Sequence, residues 1–382
     1  MRIAFQSVFY PYRGGIAQFN ASLFRALESF SEIKAFNFSL QYPSLFFPGS
    51  SQFVNTGDQA DPISSVRMLN SIDPISYYKT AKAIDSFEPD ILLTAYWQPF
   101  LAPAQGTVCK KLKRKTVNIS ILNNITPHEK KWSDYWLNKY FLKQQHAHLV
   151  MGKAIKHELL EYLPNAKCTL HPHPIYAHFG EKKDKKAARE HLKISNQKKT
   201  LLFFGLIREY KGLDVLIQAF SKLDASYQLL IAGESYEDFS KYRDLIEACG
   251  HKENIFVFDR YIPDHEVPLF FSVADLCVLP YKSATQSGVV AAAFHFDLPV
   301  VVTNKGNLKD TILPYGTGRV AEEAEPTQIA EEIKYFFAEN HAEEMTKNIE
   351  AFKAKYTWKH FAEAVLKLYR EVKSNNGLPV KD

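Results

Sequence analysis

The chain has 382 residues, 46% hydrophobic, 23% charged and 14% aromatic, which is material for about two globular domains and excludes a disordered tail, a collagen-like repeat and a small disulfide scaffold. Net charge is +5 but unevenly spread: residues 1–175 hold 19 Lys+Arg and 12 Asp+Glu, against 28 and 30 in the remainder. A basic first half beside a slightly acidic second half points to an anionic partner on the first, whether nucleic acid, an anionic membrane face or a phosphate-bearing substrate.

The opening Arg2–Phe9 reads as a strand, followed by the loop Tyr10-Pro-Tyr-Arg-Gly14-Gly15 and a helix over Ile16–Phe30 with apolar residues at Ile16, Phe19, Leu23 and Leu27. Strands are predicted at Asp90–Ala95, Thr116–Leu122 and Leu149–Gly152. The cluster Lys110-Lys111-Leu-Lys113-Arg114-Lys115 is the densest basic point. It reads equally as a solvated helix end and as part of an anion-facing surface. After a polar, lysine-rich stretch, Glu181–Thr200, a second series begins. Strands are expected at Thr200–Gly205, Gln228–Gly233, Asn254–Phe258, Leu276–Pro280 and Leu298–Thr303. Helices alternate with them at Gly212–Leu223, Phe239–Ala248, Glu266–Ala274 and Gly288–Phe296. Alternation across both halves gives an α/β protein with two doubly wound, parallel-sheet domains. The chain ends in a helix with Thr357 as N-cap and an apolar face at Phe361, Val365 and Leu368, then a frayed tail from Lys373.

Four cysteines (Cys109, Cys168, Cys249, Cys277) lie far apart with no C-x-x-C pair, as expected of free thiols in a reducing cytosol. The longest apolar stretches, such as Leu201–Ile207 and Gly288–Phe294, fall short of the ~20 residues a bilayer needs. Met1–Phe9 lacks the features of a signal peptide, so a cytoplasmic protein is expected.

Four constellations carry chemistry. Gly205-Leu-Ile-Arg208-Glu-Tyr-Lys211-Gly212 follows a strand and opens a helix, with two cations three residues apart. Backbone N–H groups, an Arg fork and a Lys point charge there suit a diphosphate; an ordinary charged turn has the same composition. Thr285-Gln286-Ser287-Gly288-Val289 starts a helix after the strand ending at Leu279-Pro280. Its amides and hydroxyls suit an anion, and Thr285 or Ser287 suits a plain N-cap. Gly14-Gly15 lets backbone approach a ligand closely, or makes a tight turn. Asn123-Asn124-Ile-Thr-Pro127-His128-Glu129 follows a strand of the first domain. His128 there is placed to bind a sugar hydroxyl or move a proton, and a purely structural histidine is the alternative.

Absences narrow the field. No G-x-G-x-x-G, P-loop or G-x-S-x-G elbow is present, which disfavours nicotinamide, flavin, P-loop and α/β-hydrolase chemistry. No Asp-x-Asp pair occurs for a divalent metal, and Arg208 and Lys211 could neutralise a diphosphate without one.

These residues together resemble the retaining glycosyltransferases of the GT-B fold, family four, over nearly the whole chain. The carriers are the Gly14-Gly15 loop, the Gly205…Arg208…Lys211-Gly212 segment, Asp275-Leu-Cys-Val-Leu-Pro-Tyr with its following helix, and Trp358 with the final helix. The chain is similar to a bacterial subgroup through Trp97-Gln-Pro-Phe-Leu-Ala-Pro, Asn124-Ile-Thr-Pro127-His128-Glu129, His173-Pro-Ile-Tyr176 and the donor-site motif Ala284-Thr285-Gln286-Ser287-Gly288-Val289. The resemblance implies two Rossmann-like domains, residues 1–180 on the acceptor side and 181–355 for the nucleotide sugar, facing across a cleft. Residues 356–382 carry a helix that crosses back onto the first domain. One departure stands out. The family's two glutamates, eight positions apart, would fall at Thr285 and Ala293, or at Ala284 and Ala292. Neither register has a carboxylate, and Gln286 or backbone groups must take those roles.

The implied reaction moves a sugar from a nucleoside diphosphate sugar to an acceptor hydroxyl with retention, needing neither metal nor cofactor. His128, Arg208 and Lys211 are the implied catalytic residues. The donor would meet Gly205, Tyr261, Ile262, Thr285, Gln286, Ser287, Gly288 and Val289. The acceptor would lie near Gly14, Gly15 and Trp97, and Asn124 is a further substrate-binding residue of the first domain. The implied acceptor is a cell-envelope glycan, lipid-linked or polysaccharide. The basic first domain would touch an anionic membrane at its inner face rather than nucleic acid, which leaves the phosphate motifs of the second half unexplained. The competing reading is a GT-B nucleotide-sugar-binding or regulatory protein without catalysis, supported only by the missing glutamates.

Overall fold

The computed structural model describes residues 1–43, 52–54, 60–113, 115–126, 131–175, 179–284, 287–338 and 341–375. The chain divides into two units. The first takes Met1–Thr56, Ala60–Pro174 and Tyr356–Asp382, and the second is chiefly Ile175–Lys355.

The first unit runs β1 (Arg2–Gln6), α1 (Gly15–Glu28), β2 (Glu32–Leu40), β3 (Ser65–Asn70), α2 (Pro74–Phe87), β4 (Ile91–Tyr96), α3 (Ala102–Lys111), β5 (Val117–Leu122), α4 (Asp134–Leu142), β6 (Ala147–Val150), α5 (Lys153–Tyr162) and β7 (Cys168–Leu170). Its seven strands lie in the order β3-β2-β1-β4-β5-β6-β7, and every pair is parallel. Side-chain alternation builds a core on each face. Ile3, Phe5, Ile91, Leu93, Ile119 and Ile121 pack on one side, and Ala4, Leu92, Tyr96 and Leu122 pack with α2–α5 on the other. That is why β4 and β5 are buried along their whole length and read as unbroken apolar runs. Several elements stand where no strand or helix is expected from the sequence, among them β2, β3 and α2. Lys34 and Asn37 interrupt the apolar pattern of β2, and the β2–β3 register shifts at Asn37/Phe38. Helix α2 begins with Pro74 behind Asp73, whose carboxylate accepts from the Ile75 N–H at 2.9 Å.

The second unit runs α6 (Lys185–His191), β8 (Lys199–Phe204), α7 (Leu213–Phe220), β9 (Tyr227–Ala232), α8 (Ser240–Glu247), β10 (Ile255–Phe258), α9 (Val267–Val273), β11 (Leu276–Leu279), α10 (Gly288–His295), β12 (Val300–Thr303), α11 (Leu308–Ile312), β13 (Gly318–Ala321), α12 (Pro326–Phe336) and α13 (His341–Lys355). Its strands lie in the order β10-β9-β8-β11-β12-β13, again all parallel. The polar stretch expected over 181–200 hides structure. Arg189, on α6, is buried, donates to the Val273 carbonyl at 3.0 Å and to Thr200 Oγ1 at 2.7 Å, and pairs with Asp275 at 2.9 Å. The Thr200 N–H also donates to Asp275 at 2.7 Å. One buried guanidinium thus ties the entry of β8 to that of β11.

The last helix, α14 (Trp358–Asn375), belongs to the first unit. Phe361, Val365, Leu368 and Tyr369 join the core that contains Ile3, Ile119 and α1. The Thr357 hydroxyl accepts from the His360 N–H at 3.2 Å at its start. Phe19 of α1 meets Trp358, Phe361 and His173 edge-on at ring distances of 5.1, 5.5 and 5.1 Å. Burial pulls the His173 imidazole down to about 4, so it stays neutral. His173 and Trp358 are packing groups here.

Candidate active site

In each sheet the connections reverse direction beside the first strand, and loops there open a crevice at the carboxyl ends of the strands. In the second unit that place lies between β8 and β11. Strand β8 ends at Phe204, and Gly205 turns the chain with φ +101°. A Cβ on Gly205 would lie 3.1 Å from Lys211 Nζ and 3.4 Å from Val289 Cγ2. The three residues therefore meet: the Lys211 amine folds back over the Gly205 turn beside the start of α10. Gly212, at φ +68°, then begins α7, and a Cβ there would stand 2.1 Å from the Pro280 carbonyl oxygen. Only glycine lets this turn lie against the exit of β11. The Lys282 N–H donates to the Tyr210 carbonyl at 2.7 Å, and Lys282 pairs with Asp214 at 2.7 Å. These bonds lock the 205–212 loop to the segment leading into α10.

Lys211 is buried, over the Tyr281 ring at 5.8 Å. Burial, and then the charge of Arg208, pull its amine down to about 8. Burial pushes the neighbouring Cys277 thiol far up, so it is neutral beside the amine. Arg208 is half-buried, with its guanidinium 5.1 Å from the centre of the Tyr236 ring. Among the described residues no carboxylate forms an ion pair with either cation. A buried amine of this kind is costly alone and gains from an incoming anion. Ser287 caps α10, its hydroxyl accepting from the Val289 N–H at 3.3 Å and lying 3.2 Å from the Tyr281 hydroxyl. One amide of that helix start is therefore already engaged by its cap, and Gly288 is exposed.

The loop after β10 holds Tyr261 and Ile262. Arg260 donates to the Tyr261 carbonyl at 3.3 Å and pairs with Glu266, and Ile262 is buried. Glu234, just past β9, is a residue that sequence reasoning missed. Its backbone carbonyl accepts from the Ile207 N–H at 2.9 Å, and its Oε2 is buried with no hydrogen-bond partner among the described residues. The available signal was a Gly-Glu pair at a strand end.

In the first unit the expected residues gather at the carboxyl ends of three adjacent strands. Gly14 and Gly15 form the start of α1 after β1. Trp97 follows β4 and donates from Nε1 to the Tyr42 hydroxyl at 2.9 Å. Asn124 follows β5, with Oδ1 buried and lacking a partner among the described residues. His128, Thr285 and Gln286 lie outside the described residues. No group of three or more His, Cys, Asp or Glu among the described residues could hold a metal ion.

Residues 184–356 match the family model for glycosyl transferases group 1. That segment is similar to the group 1 glycosyl transferases. It contains the whole Gly205–Gly212 turn and the α10 start. The full chain is 25% identical to an uncharacterized glycosyltransferase of Methanocaldococcus jannaschii, covering 97% of this chain and 99% of that one. It is 24% identical to the lipopolysaccharide 1,2-N-acetylglucosaminetransferase of Salmonella typhimurium over 56% of this chain and 59% of that one. A solved Anabaena protein in complex with UDP and glucose superposes with a TM-score of 0.71 at 12% identity, covering 97% and 100% of the two chains. The two parallel-sheet units are those of the GT-B fold.

Proposed function

We propose that this protein is a glycosyltransferase that moves a sugar from a nucleoside diphosphate sugar to an acceptor hydroxyl of a cell-envelope glycan, with retention of configuration and without a metal ion. The observation that carries it is the pair of cations at the Gly205–Gly212 turn: a buried Lys211 amine held over Gly205 next to Val289, with Arg208 three residues before it. Chemistry of this kind builds negative charge on the departing diphosphate. Arg208 supplies a forked donor and Lys211 a desolvated point charge where that charge grows, and such preorganised electrostatics is often the largest catalytic contribution. Glu234 offers an acceptor for a donor N–H or O–H at the same strand edge. His128 is assigned to the donor sugar, and Gln286 with the backbone at Tyr261 and Ile262 to the nucleoside. The UDP and glucose bound in the Anabaena structure support a nucleotide-sugar donor, and the Salmonella relative's lipopolysaccharide acceptor supports an envelope glycan. The first unit, with Gly14, Gly15, Trp97 and Asn124 at one strand edge, is read as the acceptor side, in peripheral contact with an anionic membrane.

The test is a thermal-shift panel of UDP, GDP, ADP and CDP, with and without magnesium, on wild type and Arg208→Ala. Stabilisation by one nucleotide, independent of magnesium and lost in the variant, is expected. Stabilisation by none of them refutes the donor reading. Proton NMR of the product's anomeric signal then decides retention.

A further inference from the structure

Three helices of the first unit, α2, α3 and α4, pack side by side. Their inner sides are spent on the sheet: Tyr77, Ile84, Val108 and Phe141 are buried in one core. The outer sides do not look like the water-facing side of a soluble domain. Around the start of α4, Trp132 is 88% and Trp136 65% exposed. Around the start of α2, Ile75 is 65% and Ile72 55% exposed, with Tyr78 beside them. One exposed apolar residue is ordinary; two groups at the same end of the helices that flank α3 are not. Each helix follows the carboxyl end of a strand in the chain, α2 shortly after β3 and α4 in the connection from β5 to β6. The two groups therefore sit toward the carboxyl edge of the sheet that carries Gly14, Trp97 and Asn124.

The charge around them is one-sided. Lys79, Lys82, Lys110, Lys111, Lys131 and Lys143 are exposed on these helices and their ends. Lys111 Nζ lies 5.1 Å from the centre of the Tyr78 ring, and Lys139 donates to the Tyr135 hydroxyl at 2.9 Å. Of the nearby carboxylates, Asp73, Asp85 and Asp134 accept from the backbone N–H groups of Ile75, Lys113 and Lys131, and the exposed Glu88 at the end of α2 pairs with Arg2 and Lys115. Indole and phenol rings beside lysines match a lipid headgroup layer, where the ring enters and the ammonium stays with phosphate. Nucleic acid would use the lysines and the rings but gives the aliphatic Ile72 and Ile75 nothing.

We infer that the outer face of α2, α3 and α4 is a docking surface for an anionic lipid bilayer, with Trp132 and Trp136 entering the headgroup region. The inference deepens the membrane contact of the proposed function by naming its surface and its mode, insertion of rings together with charge. Docking in this pose brings the carboxyl edge of the first sheet to the lipid surface, where a lipid-linked acceptor would lie.

The test is flotation of the full chain with phosphatidylcholine vesicles, with and without phosphatidylglycerol, alongside tryptophan emission. Wild type is expected to float only with the anionic vesicles and to shift its emission to the blue. Trp132→Ala/Trp136→Ala is expected to lose the blue shift and about tenfold in binding, and Lys110→Glu/Lys111→Glu to bind about tenfold more weakly at low salt. All these positions are exposed, and unchanged melting curves certify the fold. Arg208→Ala is expected to float like wild type, so that failure of the donor site and failure of the docking surface are told apart. Wild type that floats with neither vesicle overturns the inference. So does anionic binding unaffected by both double variants, or an emission shift produced by a soluble oligosaccharide and not by vesicles, which would make the aromatic pair a carbohydrate platform.

Discussion

Lys211 gives the most informative perturbation. Its amine sits at about 8 instead of the ordinary 10.5 because it is buried beside Arg208. A diphosphate on that amine favours the charged form. Below about pH 8 the amine is already protonated and affinity for the preferred nucleoside diphosphate is flat. Above it, binding must first take up a proton. At about pH 9 roughly one molecule in ten carries the charge, so affinity falls about tenfold from its value at about pH 7, or about 1.4 kcal/mol. The stability of the free protein moves the other way. A lysine with a lowered folded value destabilises the fold below about 8, and that cost is relieved as pH rises from about 8 toward 10.5. The full cost is of order 3 kcal/mol. Lys211→Met therefore melts higher than wild type near neutral pH, binds nucleotide poorly, and loses both pH dependences. Titration calorimetry in two buffers of different ionisation enthalpy reads the proton uptake directly. Wild-type affinity that stays constant from about pH 7 to about pH 9, or a decline that Lys211→Met shares, would refute the assignment of the amine as the diphosphate's partner.

Other substitutions separate binding from folding. Arg208→Ala should weaken nucleoside diphosphate binding by about 1.5–3 kcal/mol while leaving the melting curve of the free protein nearly unchanged; a large loss of stability instead would make the guanidinium structural. Gly205→Ala places a side chain at φ +101° and 3.1 Å from Lys211 Nζ, so a loss of about 1–2 kcal/mol in stability should accompany weaker nucleotide binding, and an alanine variant indistinguishable from wild type contradicts the turn geometry. Arg189→Ala removes the buried guanidinium while Asp275 keeps Lys185 and the Thr200 N–H, and should cost about 1–3 kcal/mol in denaturant unfolding, with nucleotide affinity recovered wherever the fold survives. Phe361→Ala opens the α14 seam in the core of the first unit, and a cost of about 3–5 kcal/mol is expected; a neutral result would mean that α14 does not close that core.

The alternation of strand and helix was legible because parallel strands covered on both faces must be apolar throughout, as β4, β5 and β9 are. The Gly205–Gly212 turn was legible for a related reason: glycines are needed where φ is positive, and two cations so close in sequence mark an anion site. Elements with mixed patterns were not legible. Strand β2 carries Lys34 and Asn37 and shifts register against β3, so its residues show no clean period. Helix α6 is short and basic, and only its packing explains Arg189, which bonds Val273, Thr200 and Asp275 on other segments.

What the sequence by itself determined is local: periodicity, turn chemistry and the identity of the charges at each strand end, since all three depend on residues within one or two turns. What only the tertiary structure decided is which groups meet. Lys211 reaches Val289 across more than seventy residues and loses its water there, and that burial sets its proton affinity. Trp132 and Ile75 are apolar in any reading of the chain, and only the packing of α2 to α4 decides that their side chains face outward among lysines.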